Sequence, residues 1–310
     1  MQSESPPGLG KSNWVLRRLP CVFVLSGGLG NQLFSYAAGL YFSKQSGRKV
    51  IFDLSDIDLL RKFHTSSILE LNPHRPVFRL RFRKALWRAI GLIQTLFSIR
   101  SQKSFVYGSP VLGHDIQLEK NDQALLVRGH YQTYKYLVDQ EVASEMRNLC
   151  IKSTSASFCK ENAALSGRHI LGVHARLGNY SELQESFGSL SDDYFRSAIR
   201  AALAVENSTI NYIYLYSDDI EKANQDLNLL EWGLPVKFIG KNSGLTDEET
   251  LVLMSKSDSL VISNSTFSWW AAALGKQDKR VYAPTKWFRG LEDPIALYPS
   301  HWQLVDSSWK

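Results

Sequence analysis

The chain has 310 residues, of which 44% are hydrophobic and 21% charged. At about 100–200 residues per domain that length suggests two domains with enough chain to bury a core unaided, and the composition excludes a disordered or fibrous protein. The net charge is +6, yet eight Lys and Arg and no acid fall between His74 and Lys103, which leaves the remainder at −2.

Residues 1–20 carry Ser, Pro, Gly and Lys without an apolar stretch and read as a flexible tail rather than a secretory signal. No run of 18 apolar residues occurs, so no transmembrane segment is expected and the reading is cytoplasmic. The three cysteines, Cys21, Cys150 and Cys159, are odd in number and include no Cys-x-x-Cys. They read as buried thiols in a reducing compartment rather than a disulfide frame or zinc site. Two Asn-x-Ser/Thr sequons, at Asn207 and Asn264, read as coincidence without a secretory signal.

In chain order, 20–25 is an apolar strand ending in a glycine-rich turn, 31–45 has helical apolar spacing, and 49–53 is a second strand. This β-loop-α-β opening predicts a parallel sheet. A basic amphipathic helix is expected over 79–99, a strand over 123–127, a helix over 133–149, and a linker at the polar run 153–157. A second α/β set follows, with strands at 169–173, 212–216, 236–239, 259–262 and 280–282. Helices are expected over 192–205 and 267–274, and Thr246-Asp-Glu-Glu249 is a capping box that opens another. The domains expected are 21–157 and 158–310, with a C-terminal segment packing back.

Four polar clusters stand at strand ends, where open parallel sheets bind ligands. In Ser26-Gly-Gly-Leu-Gly-Asn-Gln32, glycines let backbone approach a ligand, and the following helix offers N–H groups to an anion. Gly28-x-Gly30 with Asp53 also fits part of a dinucleotide fingerprint, but Leu33 stands at its third glycine. In Gly172-Val-His-Ala-Arg-Leu-Gly-Asn-Tyr180, His174 and Arg176 point to one side of a strand end, where Arg can hold a phosphate bidentately. Asp218 and Asp219, after Tyr-Ser, can serve as a helix cap, as acceptors from a guanine or ribose, or as metal ligands. Ile262-Ser-Asn-Ser-Thr-Phe-Ser-Trp-Trp270 places hydroxyls and N–H groups of Asn264, Ser265 and Thr266 just before a helix, a second anion seat.

Taken together, these clusters resemble the α-1,2-fucosyltransferase family, glycosyltransferase family 11. The first and last are near-literal matches to its motifs. Arg128-Gly-His-Tyr-Gln132, Leu190-Ser-Asp-Asp-Tyr-Phe195 and Pro284-Thr-Lys-Trp-Phe288 are similar to further landmarks, so the likeness spans about 21–290. The resemblance implies an α/β fold of GT-B type, two Rossmann-like domains facing across a cleft. It implies GDP-fucose as donor, a galactose-terminated glycan fucosylated at its 2-hydroxyl with inversion, and no metal or other cofactor. Where the family shows His-x-Arg-Arg-x-Asp-Tyr, this chain has Leu177 for the second Arg and Asn179 for the Asp.

On that likeness the candidate catalytic residues are Arg176, His174 and Asn179. Arg176 answers the leaving diphosphate, helped by Ser265 and Thr266, and His174 contacts the nucleotide. One of Asp218 and Asp219 reads guanine or ribose. Gly28, Gly30, Asn31 and Gln32 bind the donor from the first domain, and Asn264 joins the donor set from the second. No general base follows from the sequence. The rival readings are a nucleotide-sugar-binding member with altered donor, altered acceptor or weak activity, and an NAD(P)-dependent oxidoreductase. The basic stretch 75–103 reads either as a solvated helix face or as a peripheral contact with anionic lipid on the inner membrane face. Lacking interleaved recognition motifs, it does not read as a nucleic-acid binder.

Overall fold

Short runs of β-branched and aromatic residues alternate with helices, and every named strand pairing in the computed structural model is parallel. The structure describes residues 19–54, 66–78, 105–121, 124–177, 184–205 and 209–310. Most of the expected tail, the basic helix over 79–99, Asn179 and Asn207 lie outside the described residues.

The first sheet has five strands: β1 (Cys21–Val24), β2 (Val50–Asp53), β3 (Val77–Phe78), β4 (Val106–Gly108) and β5 (Leu126–Arg128). Their spatial order is β3-β2-β1-β5-β4. Helix α1 (Leu29–Ser46) links β1 to β2, and α2 (Ile116–Lys120) precedes β5. Two helices, α3 (Gln140–Arg147) and α4 (Ala156–Ala163), then lead to the second sheet.

That sheet has six strands: β6 (Ile170–Ala175), β7 (Tyr212–Ser217), β8 (Val236–Ile239), β9 (Ser259–Val261), β10 (Arg280–Pro284) and β11 (Gln303–Val305), in the order β11-β10-β9-β6-β7-β8. Between them run α5 (Gln184–Phe187), α6 (Asp192–Leu203), α7 (Ile220–Leu227), α8 (Asp247–Ser255) and α9 (Thr266–Leu274). All six residues of β6 are buried, as a central parallel strand covered on both faces requires. Two parallel α/β halves of this kind form the GT-B arrangement. No helix among the described residues is long and apolar enough to cross a membrane.

Three sequence expectations are corrected here. The helix expected over 133–149 is a 3₁₀ turn at Lys135–Leu137 followed by α3, because the Asp139 carboxylate accepts from the N–H groups of Glu141 and Val142 and starts a new helix. The polar run 153–157 is not a loose joint. Ser155 caps α4, and its N–H and hydroxyl both donate to Glu249, at 2.6 and 3.1 Å. Of the three thiols only Cys21 is buried, where desolvation pushes it up to about 12; Cys150 and Cys159 are exposed. The capping box is present, and its Glu249 thus serves α8 and α4 together.

One continuous apolar core joins the halves. Phe34 of α1 packs on Trp269 and Trp270 of α9, with ring centroids 4.5 and 5.1 Å away. Each such aromatic pair contributes about 0.5–1.5 kcal/mol beyond simple burial. The C-terminal segment ties back to the first half: Thr133 Oγ1 donates to the Ala296 carbonyl at 2.6 Å and the His114 N–H to the Ile295 carbonyl at 3.1 Å.

Candidate active site

Strand order fixes where a ligand can enter. In the second sheet the chain runs outward from β6 to β8, then returns to the other side of β6 to form β9, so its switch point lies between β6 and β9. There His174, at the end of β6, has Nδ1 2.8 Å from Ser263 Oγ, just beyond β9, and both side chains are buried. In the first sheet the switch point lies between β1 and β5. It is bridged in the same way, by Gln132 Nε2 donating to Asn31 Oδ1 at 3.2 Å. Gln132 is buried, and its Oε1 has no hydrogen-bond partner among the described residues.

The two switch points are brought together by one close approach. A Cβ at Gly30 would stand 2.5 Å from the Thr266 carbonyl carbon and 2.6 Å from its Oγ1, so only glycine lets the start of α1 lie on the start of α9. Gly27, at φ +73°, makes the preceding turn. Neither Gly28 nor Ser265, the N-caps of these helices, gives a side-chain capping bond. By contrast α2, α3, α4, α7 and α8 are each capped by a side chain; α6 is not. First-turn N–H groups of α1 and α9 therefore remain to meet an anion.

Arg176 follows directly after β6, its side chain 42% exposed, with Nη1 3.2 Å from Asp218 Oδ2. Asp218 is 14% exposed, and its Oδ1 accepts from the Leu177 N–H at 2.9 Å. One carboxylate thus holds both the guanidinium and the backbone that carries it. This pairing follows from the β6–β7 register, which sets Ala175 against Ser217. His174 is neutral: burial first, and then the Arg176 charge, depress it to about 3, with Asp218 opposing. Its buried imidazole can hydrogen-bond a nucleotide but carries no charge near neutral pH. Leu177 packs against the apolar cluster between β6 and α6, so the residue in the family's second-arginine position faces the core.

Other predicted residues have framework contacts. Gln32 is fully buried; its Nε2 donates to the carbonyls of Gly27 (3.0 Å) and Ser66 (3.2 Å), and its Oε1 accepts from the Ile68 N–H (3.0 Å). Asn264 Nδ2 donates to the carbonyls of Phe187, Gly188 and Trp287 at 3.1–3.2 Å. Asp219 is exposed and caps α7 through the Lys222 N–H, the capping alternative raised from its sequence. Gly30 is buried against Thr266 and presents backbone there. Gln132, in a segment similar to a family landmark, and Ser263, within the last strand-end cluster, carry no role legible from sequence, yet they bond Asn31 and His174 across the two switch points.

The model of the Glycosyl transferase family 11 matches residues 129–293, more than half the chain. The chain is 24% identical over 295 residues to the O-antigen biosynthesis glycosyltransferase WbnK of Escherichia coli, covering 86% of this chain and 94% of that protein. It is 26% identical over 297 residues to an α-1,2-colitosyltransferase of Escherichia coli, covering 91% and 97%. Among solved structures, a mutant of Arabidopsis thaliana FUT1 in complex with GDP aligns at a TM-score of 0.49 and 12% identity, covering 87% of this chain and 71% of that one. With His174, Arg176, Asp218 and the segment 263–266 standing at the ends of three neighbouring strands, β6, β7 and β9, inside the matched span, the chain belongs to glycosyl transferase family 11 and is a glycosyltransferase.

Proposed function

We propose that this protein transfers L-fucose from GDP-fucose to the 2-hydroxyl of a galactose-terminated glycan, inverting the anomeric centre. The observation that carries this reading is Arg176, held by Asp218 just after the strand whose His174 meets Ser263 ahead of the uncapped start of α9. Cleavage of the bond from C1 of the sugar to the diphosphate develops negative charge on the leaving oxygens. A preoriented guanidinium and helix N–H groups aimed at that charge lower the barrier more than any other single effect in catalysis of this kind. In this reading Arg176, Ser265 and Thr266 bind the diphosphate without a metal, and neutral His174 bonds the nucleotide. Asn31 faces the donor from the first half, with Gln132 bonded to it. Gln32, Asn264 and Asp219 hold the frame around the donor, and Asn179 keeps the hydrogen-bonding shape of the family's aspartate without its charge.

A second reading of the donor is colitose, favoured by the name of one relative, an α-1,2-colitosyltransferase. Parallel assays with GDP-fucose and a colitose donor on a β-galactoside, following both glycan product and GDP, decide between them. Arg176→Ala should lower turnover with the true donor by about 10²–10³ while leaving the fold intact. Near-normal turnover in that variant would remove Arg176 from the mechanism, and GDP release without any glycan product would refute the acceptor.

A further inference from the structure

Helix α9 has a second end. Its nine residues span about 13 Å at 1.5 Å per residue, and beyond its C-terminus, away from Ser265 and Thr266, lies a cavity of about 420 Å³. Such a volume falls within the range of ordinary ligand pockets, about 300–1,000 Å³. Three parts of the chain wall it: the turn at Tyr134–Val138 with Arg147 from the first half, residues 272–281 from the second, and the returning segment 299–302. It therefore sits at the seam of the two halves, on the opposite end of the helix from the candidate active site.

The chemistry of this cavity is one-sided. Arg147, Lys276 and Lys279 line it together with His301, and no carboxylate is among the lining residues. Lys276 pairs with Asp258, 2.9 Å away, which is not among the lining residues. Lys279 is buried; its ammonium donates to the Ser255 carbonyl at 2.5 Å and more weakly to the Ala271 carbonyl at 3.5 Å. An ammonium has three N–H groups, so these two carbonyls leave one unassigned. Burial pushes this lysine down to about 7, and a negative group beside it would offset that desolvation.

The lining also holds apolar and aromatic side chains. Trp269 and Trp302 are among the lining residues, as are Leu137 and Val138, the last 63% exposed. A bare anion would leave this surface wet, and a neutral apolar molecule would leave the cations unanswered. We infer that the cavity is a second binding site, separate from the donor cleft, for a small amphipathic anion: a phosphate-type group against Arg147, Lys276 and Lys279, with its apolar body against Trp302 and Val138.

Decyl phosphate below its micellar concentration is the probe. Its dissociation constant is measured calorimetrically on the full chain, beside inorganic phosphate and the neutral amphiphile decyl maltoside. Decyl phosphate should bind at least about tenfold tighter than either control, since both charge-assisted bonds and apolar burial contribute. The double variant Arg147→Ser/Lys276→Ser, at exposed positions that leave the core untouched, should weaken it by about tenfold or more. In Arg176→Ala, binding should be unchanged, because the candidate cleft is elsewhere. Absence of binding, equal binding of inorganic phosphate or decyl maltoside, insensitivity to the double variant, or loss in Arg176→Ala would each overturn the inference. Because the readout is binding and not turnover, these outcomes are independent of which sugar is transferred.

Discussion

Acidification should weaken this fold through one buried imidazole. His174 is held at about 3 in the folded chain, by burial above all and by Arg176 next, against 6.5 for an unperturbed histidine. Between those two values the unfolded chain binds a proton that the folded chain refuses. Its contribution is therefore constant above about pH 6.5, is lost progressively as pH falls through that value, and levels off only below about pH 3. At pH 5, about 1.5 pH units below the unperturbed value, the loss at about 1.36 kcal/mol per unit is about 2 kcal/mol. The perturbation is His174→Asn, which keeps a polar group at the Nδ1 position facing Ser263 and does not titrate. Urea unfolding at pH 7.5, 6.5, 5.5 and 5.0 gives stability against pH for both proteins. The smaller side chain shifts the variant by the same amount at every pH, so the slope carries the information. The wild-type curve should drop about 2 kcal/mol further than the variant's between pH 7.5 and 5.0. Parallel curves would refute a buried neutral His174.

Two other substitutions test the site's construction. Asp218→Asn keeps an acceptor for the Leu177 N–H but removes the charge opposite Arg176. Because Arg176 is half exposed, stability should change by less than about 1 kcal/mol. Turnover should fall by about tenfold or more, short of the 10²–10³ expected for losing such a group outright; unchanged kcat would show that Asp218 does not orient Arg176. Gly30→Ala forces a Cβ against the Thr266 backbone and should cost about 1–3 kcal/mol, with donor affinity reduced as the two helix starts separate. A Tm and a GDP affinity both equal to wild type would mean that the contact does not hold the halves together.

Local sequence carried the elements and most of the site's membership. Apolar runs marked β1, β2, β6 and β7, the Thr246–Glu249 spacing marked the start of α8, and the strand-end clusters marked Arg176 and the start of α9. These features follow from backbone propensity, side-chain period and capping, all set within a few residues along the chain. The division of labour inside the clusters was not legible. Gln32 and Asn264 stand among the most motif-like residues, yet their amides answer carbonyls and an N–H brought close only by folding. Asp218 meets Arg176 across 42 positions of sequence because β7 lies beside β6 in one register, and a one-residue slip would turn those side chains to the other face. Gly30, read as a ligand-facing glycine, is needed for a backbone contact with Thr266 in the other half. Sequence by itself determined which segments become strands and helices and which of them end in chemistry; only the tertiary structure decided which polar atoms are consumed in holding the frame, because hydrogen-bond partners are chosen by sheet order and helix contact rather than by neighbours along the chain.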